Sequence, residues 1–428
     1  MSSNLPEKFT YPFCYTPHPI IQEAAARLID AIGNDPGLDR LFGEGKMLGI
    51  LAATDSKGEI TFLYGFSGLA GGKSTIDGFV PPIFDTTTVN IDSSSPEESV
   101  RLQEWLFRQY IVSNGRGENA SILEIFAQRG LVPPGGTGDC AAPKMLQDCY
   151  RRGLKPRAMG EFWYGKSPKN EVRRSGRFYP SCTGKCGPLL SYMMQGLDVD
   201  ENPLESDRHW SLTRPVILFE DEHLIVVDKP SGMLSVPGRV PRRSLAEWLS
   251  DYCETPVFSC HRLDMDTSGL MVFAKSVVVQ SDLQRQFEDH SIAKNYIARL
   301  SAADEKDKAL QVGEKGKIIL PLSLDYYDRP RQMVDRTNGK QAVTEYEVLK
   351  NNSDGTSDVL FTPYTGRTHQ LRVHAAHPEG LGRPIVGDRL YGGDAAVRLM
   401  LHANRLVFKH PVSRSRMTFT SDSFSGVV

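Results

Sequence analysis

Four side chains that can take part in catalysis lie close together in the segment HRLDMDTSG. His261, Arg262, Asp264 and Asp266 come just before a small-residue break and the apolar run LMVFA. An aspartate that acts as a nucleophile or a base must stay ionised in a partly desolvated pocket, and a nearby arginine favours the ionised form. Asp264 is therefore a candidate catalytic carboxylate, although aspartates also cap turns in such places. Asp266 fits the structural turn role better.

A second polar cluster lies in the segment GRTHQLRVHAAH. Its alternation predicts a strand with Thr368, Gln370 and Arg372 on one face. Histidines 369, 374 and 377 are spaced by five and three residues, which does not give the helical pair of a zinc site. Arginines close by would also oppose a cation, so we expect no metal here.

Two further motifs carry weaker signals. SGLAGGKST resembles a phosphate-binding loop, but Ser67 stands where the first glycine belongs, and glycine and prolines follow where a helix should start. We therefore expect a loop without nucleotide. Cys182 and Cys186 form one close pair, with Cys140 distant in sequence. A structural zinc site usually shows two such pairs, so idle thiols are favoured and a metal stays open.

The composition limits the class of protein. The chain has 428 residues, 40% hydrophobic and 24% charged, with a formal net charge of -2. This length favours two domains, and this charge means that any surface for nucleic acid must be local. The start of the chain lacks the pattern of a signal peptide, no long apolar run occurs, and the seven cysteines are scattered. We expect a cytoplasmic protein with reduced thiols and no membrane span; a monomer is the simplest expectation.

The pattern of the chain changes near residue 210. In residues 1–210 we predict helices over HPIIQEAAARLIDAIG, EESVRLQEWLFRQYIVS and CAAPKMLQDCYRRG, and a hairpin of MLGILAAT and EITFLYGF around DSKG. The segment NPLESDRHWSLTRP has the composition of a linker. In residues 211–428, short strand patterns such as VILFE, LIVVDK, KNYIARLS and VTEYEVLKN alternate with few helices. The fold class is α+β, with an N-terminal α/β extension and a C-terminal mixed sheet.

The stretch from Arg151 to Lys185 is basic and carries five aromatic residues among its charges. Arginine and lysine bind phosphates, and exposed aromatic rings stack on unpaired bases. The stretch is either a local RNA-binding surface or a solvated loop whose aromatic residues pack on their own domain.

The C-terminal half resembles the RluA-type pseudouridine synthases. HRLDMDTSG matches the family signature that holds its catalytic aspartate, and DEHLIVVDKPSG, KNYIARL, GRTHQLRVHAA, PIVGDRLYGG and LHANRLVFKHP resemble further family segments in the same order. The resemblance implies a mainly antiparallel sheet with flanking helices. The first 210 residues lack the small S4 RNA-binding domain of many members and resemble the N-terminal extension of a longer subgroup, whose role is unassigned.

The resemblance also implies an activity and the residues that perform it. The chain would isomerise uridine to pseudouridine in ribosomal or transfer RNA, without cofactor or metal. Asp264 would be the catalytic carboxylate, Arg367 its partner, and Tyr296 would pack against the uracil. Arg262 would enter the RNA stack as the uridine flips out. The implied substrate-binding residues are Arg262, His261, Thr267, Thr368, His369 and Leu371.

Two other classes of protein remain open from the residues alone. One is an RNA-binding protein on an inactive synthase scaffold, against which stands the presence of Asp264, Tyr296 and Arg367. The other is a metal-dependent phosphoesterase or nuclease built on His261, Asp264, Asp266 and the later histidines at 369, 374 and 377. Sensitivity to a chelator would separate that class from a synthase.

Overall fold

The chain divides into two compact units. The computed structural model describes residues 5–13, 17–85, 96–168, 173–201, 214–238, 243–303, 309–325 and 329–422. One unit comprises Met1–Asn202 with Leu324–Arg331, and the other comprises Pro203–Ser323 with Gln332–Val428. The linker expected at residues 202–215 lies almost wholly outside the described residues, so the domain boundary at residue 210 stays a prediction.

The first unit contains six helices and six strands among its described residues. In chain order these are α1 Pro19–Gly33, α2 Pro36–Phe42, β1 Lys46–Thr54, β2 Ile60–Phe66, α3 Pro96–Gln109, β3 Ile111–Ser113, β4 Asn119–Ser121, α4 Ile122–Ala127, α5 Ala141–Arg151, β5 Lys155–Tyr164, β6 Phe178–Tyr179 and α6 Gly187–Met193. The three predicted helices and the predicted hairpin are confirmed, although IVS at the end of the second helix segment is a strand.

The main sheet of this unit has the order β2-β1-β5-β6, and its neighbours pair antiparallel. Asp55 closes the β1–β2 hairpin, since its Oδ1 accepts hydrogen bonds from the amides of Lys57 and Glu59, both at 2.8 Å. Helix α5 packs on one face of the sheet and α1 on the other, which gives two apolar cores. Residues 67–75 form a loop, as predicted, and no helix follows over residues 76–85.

The second unit contains three helices and eleven strands among its described residues. They are β7 Val216–Glu220, β8 Leu224–Lys229, α7 Leu245–Tyr252, β9 Phe258–Ser259, β10 Ser268–Ala274, α8 Val277–Glu288, β11 Ala293–Leu300, β12 Lys315–Leu324, β13 Gln332–Val334, β14 Lys340–Asn351, β15 Ser357–Pro363, α9 Gln370–Ala376, β16 Leu401–Lys409 and β17 Arg416–Thr420. One sheet takes all the strands, in the order β13-β12-β14-β15-β11-β16-β10-β8-β7, with β17 beside β16 and β9 beside β10. The predicted mixed, mainly antiparallel sheet is confirmed.

Strand β10 has an antiparallel neighbour on one side and a parallel neighbour on the other. It pairs antiparallel with β8 from Gly269 to Ala274, but it pairs parallel with β16 only at Ser268, opposite His402, and Gly269, opposite Ala403. Both faces of β10 are covered by apolar residues, one against α8 and the other against α7. This burial explains why LMVFA reads as a continuous apolar run instead of an alternating one.

Candidate active site

The loop that carries Asp264 is fixed on both sides of the carboxylate. Before it, the amide of Leu263 donates to Ser235 Oγ at 3.0 Å, and this hydroxyl donates to the Leu263 carbonyl at 2.7 Å. After it, the amide of Thr267 donates to the Asp264 carbonyl at 3.1 Å and closes a turn. The loop leads directly into the buried strand β10, so the position of the carboxylate is set by the sheet.

A buried lysine of strand β8 also binds the loop that carries Asp264. Lys229, at the end of β8, is 0% exposed, and its Nζ donates to the carbonyls of Pro230, Met233 and Met265 at 3.0, 2.8 and 2.9 Å. Burial lowers the pKa of Lys229 to about 7, while Asp266 and then Asp264 act to raise it. Lys229 therefore supplies one hydrogen bond to Met265, the residue next to Asp264, and a positive charge near the Asp264 carboxylate.

Opposing effects act on the Asp264 carboxyl. Burial raises its pKa above the usual value, because the charged form is poorly solvated there. The nearby cations act in the other direction, Arg372 most strongly, then Arg262 and Lys229. The site thus combines a desolvated carboxylate with positive charges that favour its ionised form.

Arg372 is itself held by a carboxylate. It lies on α9, and its Nε and Nη2 donate to Asp388 Oδ2 and Oδ1 at 2.8 and 2.7 Å. Both side chains are buried. Burial tends to raise the pKa of Asp388, but the Arg372 guanidinium outweighs it and leaves this pKa below the usual value. This bidentate pair fixes the orientation of the guanidinium that acts on Asp264.

Tyr296 faces the same space from β11. Burial, and after it the charge of Asp264, raises the pKa of its hydroxyl well above the usual value. The hydroxyl is therefore protonated at neutral pH, and the ring offers a flat apolar surface. A group of this kind can pack against a base and donate a hydrogen bond.

These side chains line one cavity of about 490 Å³ in the second unit. Asp264, Tyr296 and Arg372 share its wall with Leu371, Lys294 and Leu401. This volume lies in the range of small-molecule sites and can accept one nucleotide. The arrangement offers a carboxylate, an aromatic ring and fixed cations to a group inside it.

His261 is a neutral part of this wall. Its Nε2 accepts a hydrogen bond from the amide of Val272 at 3.1 Å, and its ring lies 4.5 Å from that of Phe287. Burial, with a further effect from Lys294, lowers the pKa of His261 to about 3. His261 therefore joins the loop to β10 and carries no charge at neutral pH.

The comparisons with known proteins identify the family. Residues 223–377 match the family model described as RNA pseudouridylate synthase. The dual-specificity RNA pseudouridine synthase RluA of Haemophilus ducreyi is 41% identical over an alignment of 216 residues, and the match covers 48% of this chain and 91% of that protein. The same enzyme of Escherichia coli is 42% identical over 211 residues, again 48% and 91% of the two chains. This chain belongs to the RNA pseudouridylate synthase family.

Among solved structures, the human protein named RNA pseudouridylate synthase domain containing 4 is similar to this synthase. It is 26% identical, and the match covers 49% of this chain and 88% of that chain with a TM-score of 0.38. The family assignment does not depend on this match, since the sequence comparisons carry it alone.

The synthase differs from the sequence-based expectation in the arginine beside Asp264. Arg367 was expected as the partner, but its side chain is exposed and its Nε donates to the Gln341 carbonyl at 3.3 Å. The arginine that acts most strongly on Asp264 is Arg372. The expectation of a strand over RTHQLRVHA is also wrong, because the segment contains helix α9. All seven residues of α9 are buried, so the sequence carries no amphipathic period to distinguish the two structures.

The predicted substrate-binding residues of the synthase fall into three groups. His261, Thr267, His369 and Leu371 are at least half-buried and line the cavity, and Arg262 lines it as an exposed side chain. His369 Nδ1 lies 2.9 Å from the hydroxyl of Tyr391. Thr368 is exposed and does not belong to the described cavity wall.

Sequence reasoning missed three residues that shape this site. Lys229 had a usable signal, since a lysine that ends the apolar strand LIVVDK must find polar partners inside the fold. Arg372 belongs to the segment GRTHQLRVHAAH, but the alternating pattern of this segment predicts a strand and gives no reason to pair Arg372 with Asp264. Asp388 follows Arg372 at a distance in sequence, in PIVGDRLYGG, and the link between them exists only in the fold.

The aromatic residues of the basic stretch in the N-terminal unit are not free for stacking on bases. Phe162, Tyr164 and Tyr179 are buried, and Phe178 packs on Phe162 with ring centroids 5.7 Å apart. Trp163 is half-buried, with Arg173 Cζ 5.9 Å from its ring. Of the two alternatives for this stretch, the described residues favour aromatic rings that pack on their own domain, because β5 and β6 belong to a sheet.

Three thiols of the N-terminal unit lie near one another. The thiol of Cys140 is in hydrogen-bonding contact with those of Cys182 and Cys186, and the Lys185 amide donates to Cys182 Sγ at 3.3 Å. Within the described ranges, no three cysteine, histidine or acidic side chains form a group suited to a metal ion.

No helix in these ranges has the length and apolar character needed to cross a membrane.

Proposed function

We propose that this synthase isomerises specific uridines of ribosomal or transfer RNA to pseudouridine in the cytoplasm, with Asp264 as the catalytic carboxylate. One observation carries the proposal. Asp264 and Tyr296 face one cavity, and Arg372, fixed by Asp388, is the strongest charge acting on the carboxylate. The names of the RluA relatives, which describe dual-specificity RNA enzymes, support RNA as the substrate.

The reaction rearranges one nucleotide and needs no second substrate. The bond from N1 of uracil to C1′ of ribose breaks, the uracil turns, and C5 bonds to C1′ instead. C5 then loses its proton and N1 gains one, so atoms and electrons balance. Asp264 acts at the sugar, either by attack on C1′ or by removal of a ribose proton, and both routes need the ionised carboxylate.

The neighbours of Asp264 have distinct proposed roles. Arg372 is a positioning residue that keeps the carboxylate ionised and directed into the cavity. Tyr296 packs against the uracil, and its protonated hydroxyl donates a hydrogen bond to the detached base or to a water that accepts the C5 proton. Neither role requires a cofactor.

The target uridine must leave its helix to reach the cavity, at a cost of a few kcal/mol. Arg262 is exposed on the loop beside Asp264 and is suited to fill the gap that the base leaves. Arg367 is also exposed at the cavity wall and is suited to bind a phosphate there, not to pair with Asp264. In residues 1–210, exposed Arg151 and Lys155 are candidates for accessory phosphate contacts.

The test measures tritium released from RNA labelled at uridine C5, with ribosomal and transfer RNA in separate assays and a chelator present. Wild-type protein should release tritium from at least one pool, and Asp264→Asn should release none above background. Asp251→Asn is the matched control, since it removes an exposed carboxylate of the second unit that does not belong to the described cavity wall, and it should keep most activity. Equal release by Asp264→Asn and wild type would overturn the catalytic role. Binding of both RNA pools without release would indicate a non-catalytic RNA-binding protein.

A further inference from the structure

The cavity wall carries a lysine whose charge is not matched by a carboxylate. Lys294 is half-buried on β11, and it forms no ion pair with an Asp or Glu of the described ranges. Among the other basic side chains of the cavity wall, Arg372 is paired with Asp388, and His261 is neutral. Arg262 and Arg367 are exposed. Lys294 is thus an inner cation that the protein leaves available.

An aromatic ring and a glycine lie near the Lys294 ammonium. Its Nζ lies 5.9 Å from the ring centroid of Phe287, and a Cβ placed on Gly366 would come 3.9 Å from this Nζ. Burial lowers the pKa of Lys294, and its charge in turn lowers that of His261. The charged form of Lys294 is therefore less favourable in this cavity wall than it is in water.

Such an arrangement is unfavourable in the empty protein. A half-buried ammonium loses hydration, and the loss is normally offset by a carboxylate or a set of carbonyls. Lys229 shows this offset in the same unit, with three carbonyl acceptors on its Nζ. Lys294 lacks comparable acceptors among the described residues, so a ligand with negative charge is the natural source of compensation.

The position of Lys294 matches the route of an RNA backbone. It precedes Tyr296 by two residues on β11, and both side chains line the cavity, which puts them about 7 Å apart along the strand. If Tyr296 packs against the flipped uracil, a backbone phosphate of that nucleotide reaches the neighbouring wall. A lysine is suited to phosphate because it acts as a compact point charge with three donors.

We propose that Lys294 binds a phosphate adjacent to the flipped uridine and so holds the nucleotide in the cavity. The inference rests on the proposed function, since it takes RNA as the substrate. Lys294 is a binding residue here and takes no part in bond making. The competing partner is a carbonyl oxygen of the uracil, which would make Lys294 act on the base instead of the backbone.

The first experiment measures the salt dependence of RNA binding. Unfractionated transfer RNA and ribosomal RNA are titrated in the Asp264→Asn background, so that turnover does not interfere. Adding Lys294→Met should make the slope of log K against log salt less steep by about 0.7, the value for one phosphate contact on a single strand. Lys294→Arg should keep the slope, because it keeps the charge. Lys350→Met, an exposed lysine at the end of β14, is the matched control and should also keep it.

The second experiment uses the tritium assay with Asp264 intact. Lys294→Met should raise KM by about 10-fold with kcat within a factor of two, because one charged contact is lost in binding (~1.4 kcal/mol). An unchanged slope and KM for Lys294→Met would overturn the proposal. An unchanged slope with a lowered kcat would do so as well, and would assign Lys294 to the uracil. A wild-type protein without tritium release would defeat the proposed function, while the binding slope would still decide the role of Lys294. Circular dichroism and thermal unfolding establish that each variant is folded.

Discussion

Arg372 and Asp388 form a buried bidentate ion pair, with two nitrogen–oxygen distances of 2.8 and 2.7 Å. The pair joins helix α9 to the loop after it and directs a cation towards Asp264. Because both side chains are almost fully buried, each depends on the other for compensation of its charge.

Removal of one partner should therefore be severe. We expect Asp388→Ala to lower the free energy of unfolding by about 3–5 kcal/mol, since it leaves an uncompensated guanidinium in the interior. Urea unfolding at neutral pH measures this change. The control is Glu379→Ala, which removes an exposed ion pair with Arg336 and should cost about 0–1 kcal/mol. Similar effects of the two variants would contradict the assigned difference.

The stabilisation that the Arg372–Asp388 ion pair gives to the fold should be lost at acid pH. The pKa of Asp388 is lower in the folded chain than its usual value of about 4, so the pair stabilises the fold above that pH. As the pH falls through the depressed folded pKa, Asp388 takes up a proton and this contribution is lost. The difference in unfolding free energy between wild type and Asp388→Ala should shrink below about pH 4. A difference that stays constant from pH 7 to pH 3 would show that the charge of Asp388 is not the cause.

The two arginines of the GRTHQLR segment should behave differently. Arg372→Met should lower kcat at least about 100-fold, as for loss of a preorganised charge at a reacting centre. Arg367→Met should mainly raise KM, because its exposed guanidinium is placed to contact RNA. Both variants are assayed by tritium release at several RNA concentrations. A large loss of kcat in Arg367→Met with a mild effect in Arg372→Met would restore the expectation drawn from sequence.

Lys229 should influence the pH dependence of catalysis. Its charge lowers the pKa of Asp264, so Lys229→Met should raise that pKa further. In the proposed mechanism the activity needs the ionised carboxylate, so it is lost as the pH falls through this pKa. The acid limb of the kcat/KM profile should therefore move to higher pH in Lys229→Met, with Lys350→Met as the unshifted control. An acid limb at the wild-type position would remove Lys229 from the electrostatics of the site.

Gly269 allows the close approach of β10 and β16. Its φ is +117°, and a Cβ there would lie 2.4 Å from the Ala403 carbonyl oxygen. Gly269→Ala should destabilise the fold by about 3 kcal/mol or more, from backbone strain and overpacking together. Gly313→Ala is the control, because Gly313 also has positive φ, +84°, but open space around it. It should cost only about 1–2 kcal/mol, measured by urea unfolding.

The sequence was informative where local order matters and uninformative where distant segments meet. Asp264 and Tyr296 could be chosen from short ordered motifs, and the strands of the second unit follow from runs of apolar residues. The arginine that acts on Asp264 could not be identified, because QLRVHAA is buried on all sides and its sequence does not distinguish a helix from a strand. Asp388 and Lys229 become part of the site only through long-range packing, and no local pattern records such contacts.

The brief parallel pairing of β10 with β16 leaves an opening in the sheet, and His261 closes it. Beyond Gly269 the two strands part, and the amide of Val272 meets an imidazole nitrogen where a carbonyl of a neighbouring strand would otherwise stand. The side chain thus supplies one hydrogen-bond acceptor to β10 between the end of its pairing with β16 and the start of its pairing with β9 at Phe273. The ring thus adds a link between the loop that carries Asp264 and strand β10, beside the hydrogen bonds that Ser235 and Lys229 make to the same loop.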